Sequence, residues 1–176
     1  KWFGDCKKKI EILMRRKFGK LINDLAYKDN KIVLLVGDIG YGIFDDFRKN
    51  HKDKFFNLGI CEQSIIGTAA GMALEGLKPW VYTITPFLIE RPFEQIKLDI
   101  DQQKVNVNLV GFADYPTLGP THSELNAKKL MKLFHNIKSY FPKDSSETEK
   151  FVKICYKSKG PNFISLKSDN KIDKNW

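Results

Sequence analysis

Cysteine is scarce in this sequence, which has only Cys6, Cys61 and Cys155 among its 176 residues. Because their number is odd and they lie far apart, they exclude a disulfide framework and favour a reducing cytoplasm. No pair of cysteines or histidines has metal-ligand spacing, so we expect no metal site built by this chain alone. The sequence also lacks an apolar run of the roughly 20 residues that cross a bilayer, so we expect no membrane partner.

Acidic residues are fewer than basic ones, 21 against 30, which gives a net charge of +9. Lysines cluster at 7–9 and 167–174 in a way that resembles a nucleic-acid footprint. The positive charge is spread over both ends, however, and no nucleic-acid-binding motif accompanies it. We therefore favour solvated faces or attraction to anionic substrates, and we expect no nucleic-acid partner.

Short apolar runs alternate with helical patterns along most of the chain. A long amphipathic helix is predicted from residue 10 over about 18 residues. About six strands follow, at 32–36, 55–56, 79–83, 105–112, 137–141 and 163–166. Helices are predicted between them at 64–74, 92–100, 123–134 and 151–157, the last with a capping box of Ser146 and Glu149. This order predicts one α/β domain over residues 1–176, with three layers and a mostly parallel sheet.

Ligands of such sheets bind outside the carboxyl ends of the strands. The segments expected there are 37–42, 59–62, 85–91 and 114–122, which hold much of the polar and glycine-rich sequence. We therefore expect the functional residues to lie in these four loops.

Three sequence blocks stand in these regions in a characteristic order. Residues 57–63 read Asn-Leu-Gly-Ile-Cys-Glu-Gln and run into a helix rich in glycine and alanine. Residues 85–95 follow, and then Gly-Pro-Thr-His at 119–122. Together they resemble the pyrimidine-binding domain of transketolase-like thiamine diphosphate enzymes over most of the chain. The resemblance implies the thiamine diphosphate-binding fold of the pyrimidine type.

In the family that the chain resembles, a glutamate hydrogen-bonds the aminopyrimidine ring of thiamine diphosphate. This bond favours the imino tautomer, whose nitrogen then takes the proton from C2 of the thiazolium ring. The resemblance places this catalytic and cofactor-binding role on Glu62. The simpler alternative is that Glu62 only provides a favourable negative charge at a helix N-terminus.

Four further residues are candidates for the site, two of them, Phe87 and His122, through the resemblance. Phe87 is expected to pack on the pyrimidine ring, since flat heteroaromatic rings favour aromatic neighbours. His122 is expected to line the active site, where it can hydrogen-bond substrate hydroxyls or move protons. Arg91 is counted among the cofactor-binding candidates, where it either contacts a substrate phosphate or ties its loop to a carboxylate. Asp38, which ends the first strand, could reach the cofactor or the substrate.

Two other histidines, His51 and His135, lack such a sequence context and are predicted to lie on the surface. Phe93, near Phe87 in sequence, is expected to fill the core.

The sequence lacks the Gly-Asp-Gly motif and downstream asparagine with which the family binds the diphosphate and magnesium. No C-terminal transketolase domain is expected in this chain either. The resemblance thus implies a split transketolase whose second chain binds the diphosphate and magnesium. The expected assembly is a heterotetramer with two copies of each chain, in which this chain also self-associates. Such an enzyme transfers a two-carbon ketol unit between sugars or sugar phosphates.

Other functions remain open at this point. The nearest is a deoxyxylulose-type or other acyl-transferring subunit. From different classes come a non-catalytic interaction module that kept the fold and a basic nucleic-acid-binding protein.

Overall fold

The computed structural model describes the backbone of residues 2–112 and 118–166, with side chains from Met14 onward. Its sheet has six strands: β1 Ile32–Val36, β2 Phe55–Asn57, β3 Lys78–Ile84, β4 Asn108–Phe112, β5 Lys138–Tyr140 and β6 Asn162–Leu166. All neighbouring strands are parallel, in the order β2-β1-β3-β4-β6-β5. The predicted parallel α/β fold is confirmed.

Helices cover both faces of this sheet. They are α1 Trp2–Lys28, α2 Asp45–Asn50, α3 Glu62–Leu74, α4 Thr85–Ile89, α5 Phe93–Gln95, α6 Ala127–Met131 and α7 Ser145–Lys157. A π-helical segment, Ile96–Gln102, continues from α5, and single 3₁₀ turns occupy Lys52–Lys54 and Pro120–His122. The predicted first helix is present, but it begins at Trp2, eight residues before its predicted start at residue 10. The side chains of its residues 2–13 lie outside the description.

Two apolar clusters form the core, one on each face of the sheet. Strand β1 shows the principle, because Leu34 packs in one cluster and Leu35 in the other. The first cluster contains Phe18 of α1 and Val152 of α7. The second contains Ile66 of α3. Alternate side chains of a strand point to opposite faces, so a continuous apolar run is what a strand covered on both faces requires.

Helix α6 begins later than the sequence pattern predicted. It starts at Ala127 instead of residue 123, with the Asn126 side chain accepting a hydrogen bond from Lys129 N at 3.0 Å. Leu125 N is already bonded to the carboxylate of Glu90 at 2.7 Å, which holds the chain outside the helix. A distant carboxylate therefore decides where this helix starts.

The predicted capping box of α7 is wrong. Asp144 caps the helix instead, accepting a hydrogen bond from Glu147 N at 2.8 Å. Glu149 forms ion pairs with Lys17 and with Lys153, the latter at 2.6 Å. Its role is therefore to join α7 to α1, while the helix starts one residue before Ser146.

His51 is buried, so its predicted surface position is wrong. Its ring lies 4.9 Å from that of Phe47, and its Nε2 is 3.3 Å from Asn23 O. Burial lowers the pKa of His51. His135 is exposed and Phe93 is half-buried against Phe134, both as predicted.

Strand β4 begins at Asn108, three residues after its predicted start at 105. Val107 N donates to Val105 O at 2.9 Å, so the chain turns there before it joins the sheet.

Among the described helices, none is both long enough and apolar enough to cross a bilayer.

Candidate functional site

The turn after β2 places Glu62 at the start of α3. Asn57 accepts a hydrogen bond from Gly59 N at 3.1 Å, and Gly59 has a φ of +77°, a conformation that favours glycine. Cys61 N then donates to Gly59 O at 3.0 Å, which tightens the turn. Helix α3 begins at the next residue, and the Glu62 side chain is only 4% exposed. The family-like sequence at 57–63 therefore buries a carboxylate beside the carboxyl edge of the sheet.

Close packing at the end of β1 supports this turn. A Cβ atom at Gly37 would lie 3.3 Å from Thr83 Oγ1 and 3.5 Å from Gly59 O. A side chain at position 37 would therefore press on β3 and on the turn that leads to Glu62.

Arg91 holds the Glu62 carboxylate. Its Nη1 donates to Oε1 at 2.9 Å and to Oε2 at 3.1 Å. The Arg91 side chain, 36% exposed, reaches from the segment between α4 and α5. Because a buried carboxylate without a partner is costly, this contact satisfies the charge of Glu62.

The same guanidinium lies on the ring of Phe87. Arg91 Cζ is 3.5 Å from the centroid of the Phe87 ring, which is a close cation–π contact. Phe87 belongs to the short helix α4, directly after β3. One planar cation thus bridges a buried carboxylate and an aromatic face.

His122 completes this cluster from the loop after β4. Its ring is 4.8 Å from that of Phe87, at an interplanar angle of 66°. Thr121 Oγ1 is 3.1 Å from His122 Nδ1. The bond from Leu125 N to Glu90 joins this loop to the residue before Arg91. Residues 113–117, which include the first part of the loop predicted at 114–122, lie outside the described residues.

Asp38 belongs to a second group at the end of β1. It has a φ of +53°, its N donates to Asn57 Oδ1 at 2.9 Å, and its Oδ1 accepts from Asn57 Nδ2 at 3.0 Å. Tyr41 also donates to Oδ1, at 3.2 Å. A cavity of about 150 Å³ opens beside this group, lined by Tyr41, Asn57 and neighbouring residues.

The structure therefore brings together four of the five residues that the sequence singled out: Glu62, Phe87, Arg91 and His122. Of the two contacts considered for Arg91, the carboxylate contact is present. Sequence reasoning assigned no role to Asn57 or Glu90, which shape the two loops. The sequence signal that could have identified them is the presence of a polar residue at the end of an apolar strand or short helix.

The cluster suits a flat nitrogen heterocycle. Glu62 offers carboxylate oxygens to a ring N–H, and the Phe87 face offers a stacking surface. The guanidinium of Arg91 demonstrates that a planar N–H donor fits both at once, so the residues fit an aminopyrimidine. Within the described ranges, no group of three or more histidine, cysteine or acidic residues could hold a metal ion.

Comparison with known proteins gives one family. Residues 10–171 match the model of the transketolase pyrimidine-binding domain. An apulose-4-phosphate transketolase subunit from Phocaeicola vulgatus is 31% identical over 159 residues, which are 88% of this chain and 51% of that one. The 1-deoxy-D-xylulose-5-phosphate synthase of Syntrophomonas wolfei is 32% identical over 152 residues, 82% of this chain and 23% of that enzyme.

A solved structure agrees with these relatives. A split-gene transketolase, described as an inactive beta4 tetramer, superposes with a TM-score of 0.80 and 31% identity. The match covers 89% of this chain and 51% of that one. The chain thus spans about half the length of the apulose-4-phosphate transketolase relative and of this split-gene protein.

Proposed function

Because this chain belongs to the transketolase pyrimidine-binding domain family, we propose that it forms half of a thiamine diphosphate site in a split, transketolase-like enzyme. The reaction is the transfer of a two-carbon ketol unit between sugars or sugar phosphates. The observation that carries this proposal is the buried carboxylate of Glu62 beside the face of Phe87, bridged by one planar cation.

Glu62 and Phe87 would hold the aminopyrimidine. Glu62 accepts a hydrogen bond from a ring nitrogen and shares its proton, while Phe87 packs on the ring. The cofactor, when bound, supplies the nucleophilic carbon that the protein lacks. The low exposure of Glu62 excludes water that would otherwise compete for its oxygens.

His122 and Asp38 would contact the reacting molecules from two sides. The contact of His122 Nδ1 with Thr121 orients the ring. Its Nε2 would hydrogen-bond a substrate hydroxyl or transfer a proton. Asp38 uses Oδ1 for Asn57 and Tyr41, so Oδ2 is the oxygen we assign to a cofactor or substrate contact.

A separate chain would bind the diphosphate and magnesium, a division that the subunit name of the apulose-4-phosphate transketolase relative and the split-gene relative support. We propose a heterotetramer with two copies of each chain, located in the cytoplasm. The beta4 tetramer of the split-gene relative supports self-association of the chain that carries the pyrimidine-binding domain.

Reconstitution tests this function. The chain is mixed with a diphosphate-binding transketolase chain, magnesium and thiamine diphosphate, and given a ketose phosphate labelled with ¹³C at C1 and C2 plus an unlabelled aldose. We expect a new ketose two mass units heavier than its unlabelled form, and no product when either chain is omitted. Cofactor binding without any labelled ketose would contradict ketol transfer.

The similarity to 1-deoxy-D-xylulose-5-phosphate synthase supports a second candidate, acyl transfer. The same assembly is therefore given pyruvate and an aldose phosphate, and carbon dioxide is measured. Release of carbon dioxide with formation of a deoxyketose would favour acyl transfer. If product forms with the labelled ketose as donor and none forms with pyruvate, ketol transfer is favoured.

A further inference from the structure

We propose that the Arg91 guanidinium is an intramolecular stand-in for the aminopyrimidine, which the cofactor must displace in order to bind. This inference rests on the proposed function, because it takes Glu62 and Phe87 as the groups that hold the ring. It concerns an arrangement of this chain's own residues before the cofactor arrives.

The two contacts of Arg91 coincide with the two contacts assigned to the ring. Its Nη1 reaches both oxygens of Glu62, at 2.9 and 3.1 Å, where a ring N–H would donate. Its Cζ lies 3.5 Å from the Phe87 centroid, where a stacked ring would lie. A ring stacked on the face of Phe87 that Arg91 covers would overlap the guanidinium, so in that position the two exclude each other.

The structure allows this side chain to leave. Arg91 is 36% exposed, and it follows the short helix α4 without being part of it. The guanidinium regains water when it swings out, because charged side chains of this length keep their heads hydrated. The Arg91 carbonyl meanwhile accepts a hydrogen bond from Gln63 Nε2 at 3.5 Å, so the backbone keeps a contact with α3.

Displacement by the cofactor keeps Glu62 satisfied throughout. A buried carboxylate that loses its partner carries a large penalty, which would oppose opening of an empty site. The ring nitrogen carries no proton in the amino form, so Glu62 would take up a proton from water as the guanidinium leaves and share it with that nitrogen. The exchange then leaves no unpaired buried charge. When Arg91 occupies the site, the apparent affinity for the cofactor equals the intrinsic affinity multiplied by the fraction of molecules in which the site is free.

The test measures the affinity of the reconstituted two-chain assembly for thiamine diphosphate with magnesium. Arg91→Met removes the guanidinium and keeps an apolar stem, and we expect the Kd to fall at least about tenfold, as for a stand-in that fills about nine sites in ten or more. Arg16→Met removes the same charge from an exposed position on α1, and its Kd should equal that of the wild type. An unchanged or higher Kd in Arg91→Met would overturn the proposal.

A second variant separates displacement from general loosening of the site. In Arg91→Ala, added methylguanidinium can refill the place of the side chain, so it should raise the Kd for the cofactor competitively. The wild type, whose own guanidinium is present, should respond less to the same concentration. Equal responses of the two proteins would count against the stand-in.

If the other variants unfold, Arg91→Lys provides a further test, because it keeps a positive charge beside Glu62. Lysine lacks the planar fork, so it should hold Glu62 without covering Phe87 and give an intermediate Kd. A Kd at or above the wild-type value would contradict the inference. Failure of the wild-type assembly to bind thiamine diphosphate at all would reject the proposed function itself, whereas binding with no effect at Arg91 rejects only this inference.

Discussion

Two carboxylates at the carboxyl edge of the sheet, Glu62 and Asp38, are held in opposite ways. Glu62 is buried and pairs with a partly exposed side chain that comes from 29 residues away. Asp38 is exposed and bonds to Asn57 and Tyr41, with its own backbone N held by Asn57 as well.

The comparison separates a replaceable partner from a fixed one. The partner of Glu62 is one flexible side chain, so a ligand can take its place without disturbing the backbone. The partners of Asp38 also set the course of its loop, so removing them would reshape the end of β1. We therefore expect substitution at Glu62 to affect chemistry. Substitution at Asp38 should affect stability as well as the contact that we propose for its Oδ2.

The largest effect is expected for Glu62→Gln. Glutamine keeps the shape of the side chain but cannot share a proton in the same way, so kcat of the reconstituted enzyme should fall at least about 100-fold. Glu149→Gln removes a carboxylate from the α1–α7 ion pairs and should leave kcat near the wild-type value. Near-normal turnover in Glu62→Gln, with circular dichroism showing an intact fold, would refute the role of Glu62.

An intermediate effect is expected for Phe87→Ala. Loss of the stacking face removes about 1 kcal/mol of aromatic contact. In an Arg91→Met background, where no guanidinium competes for that face, the Kd for thiamine diphosphate should therefore rise roughly fivefold in the assembly. Phe93→Ala provides the control, because Phe93 packs on Phe134 and should change stability without changing the Kd. If the cofactor affinity of Phe87→Ala is unchanged, Phe87 is a core residue.

The smallest predicted effect is a change in stability at Asp38. Asp38→Ala loses two exposed hydrogen bonds and keeps a left-handed backbone, so the free energy of unfolding should fall by about 2 kcal/mol in urea titrations. Asp38→Gly loses the same bonds but tolerates a φ of +53°, and should recover about 1 kcal/mol of that loss. Glycine and alanine variants of equal stability would show that backbone conformation contributes nothing here.

The sequence predicted the sheet well because strand signals are local. A run such as Ile32–Val36 reads as a doubly buried strand wherever it occurs, and all six predicted runs contain strands. Boundaries were less well predicted where a distant group competes for the backbone. The bond from Leu125 N to Glu90 delays α6, and no local pattern in residues 123–126 indicates it.

Burial of histidine shows the same limit. His51 follows α2 and lacks a sequence context like that of His122, which is why a surface position was predicted. The chain nevertheless places it beside Phe47 and near Asn23 of α1. Only packing between helices distant in sequence could reveal this, since the residues around His51 are polar.

The sequence by itself determined the parallel α/β architecture, because periodicity is a property of neighbouring residues. Its resemblance to transketolase pyrimidine-binding domains singled out the region of Glu62, Phe87, Arg91 and His122 as candidates. Only the tertiary structure decided that Arg91 forms an ion pair with Glu62 and a cation–π contact with Phe87. That arrangement depends on where two strands end and on which side chains lie close together there. A buried carboxylate without a partner is costly, and this cost favours the contact between Glu62 and Arg91.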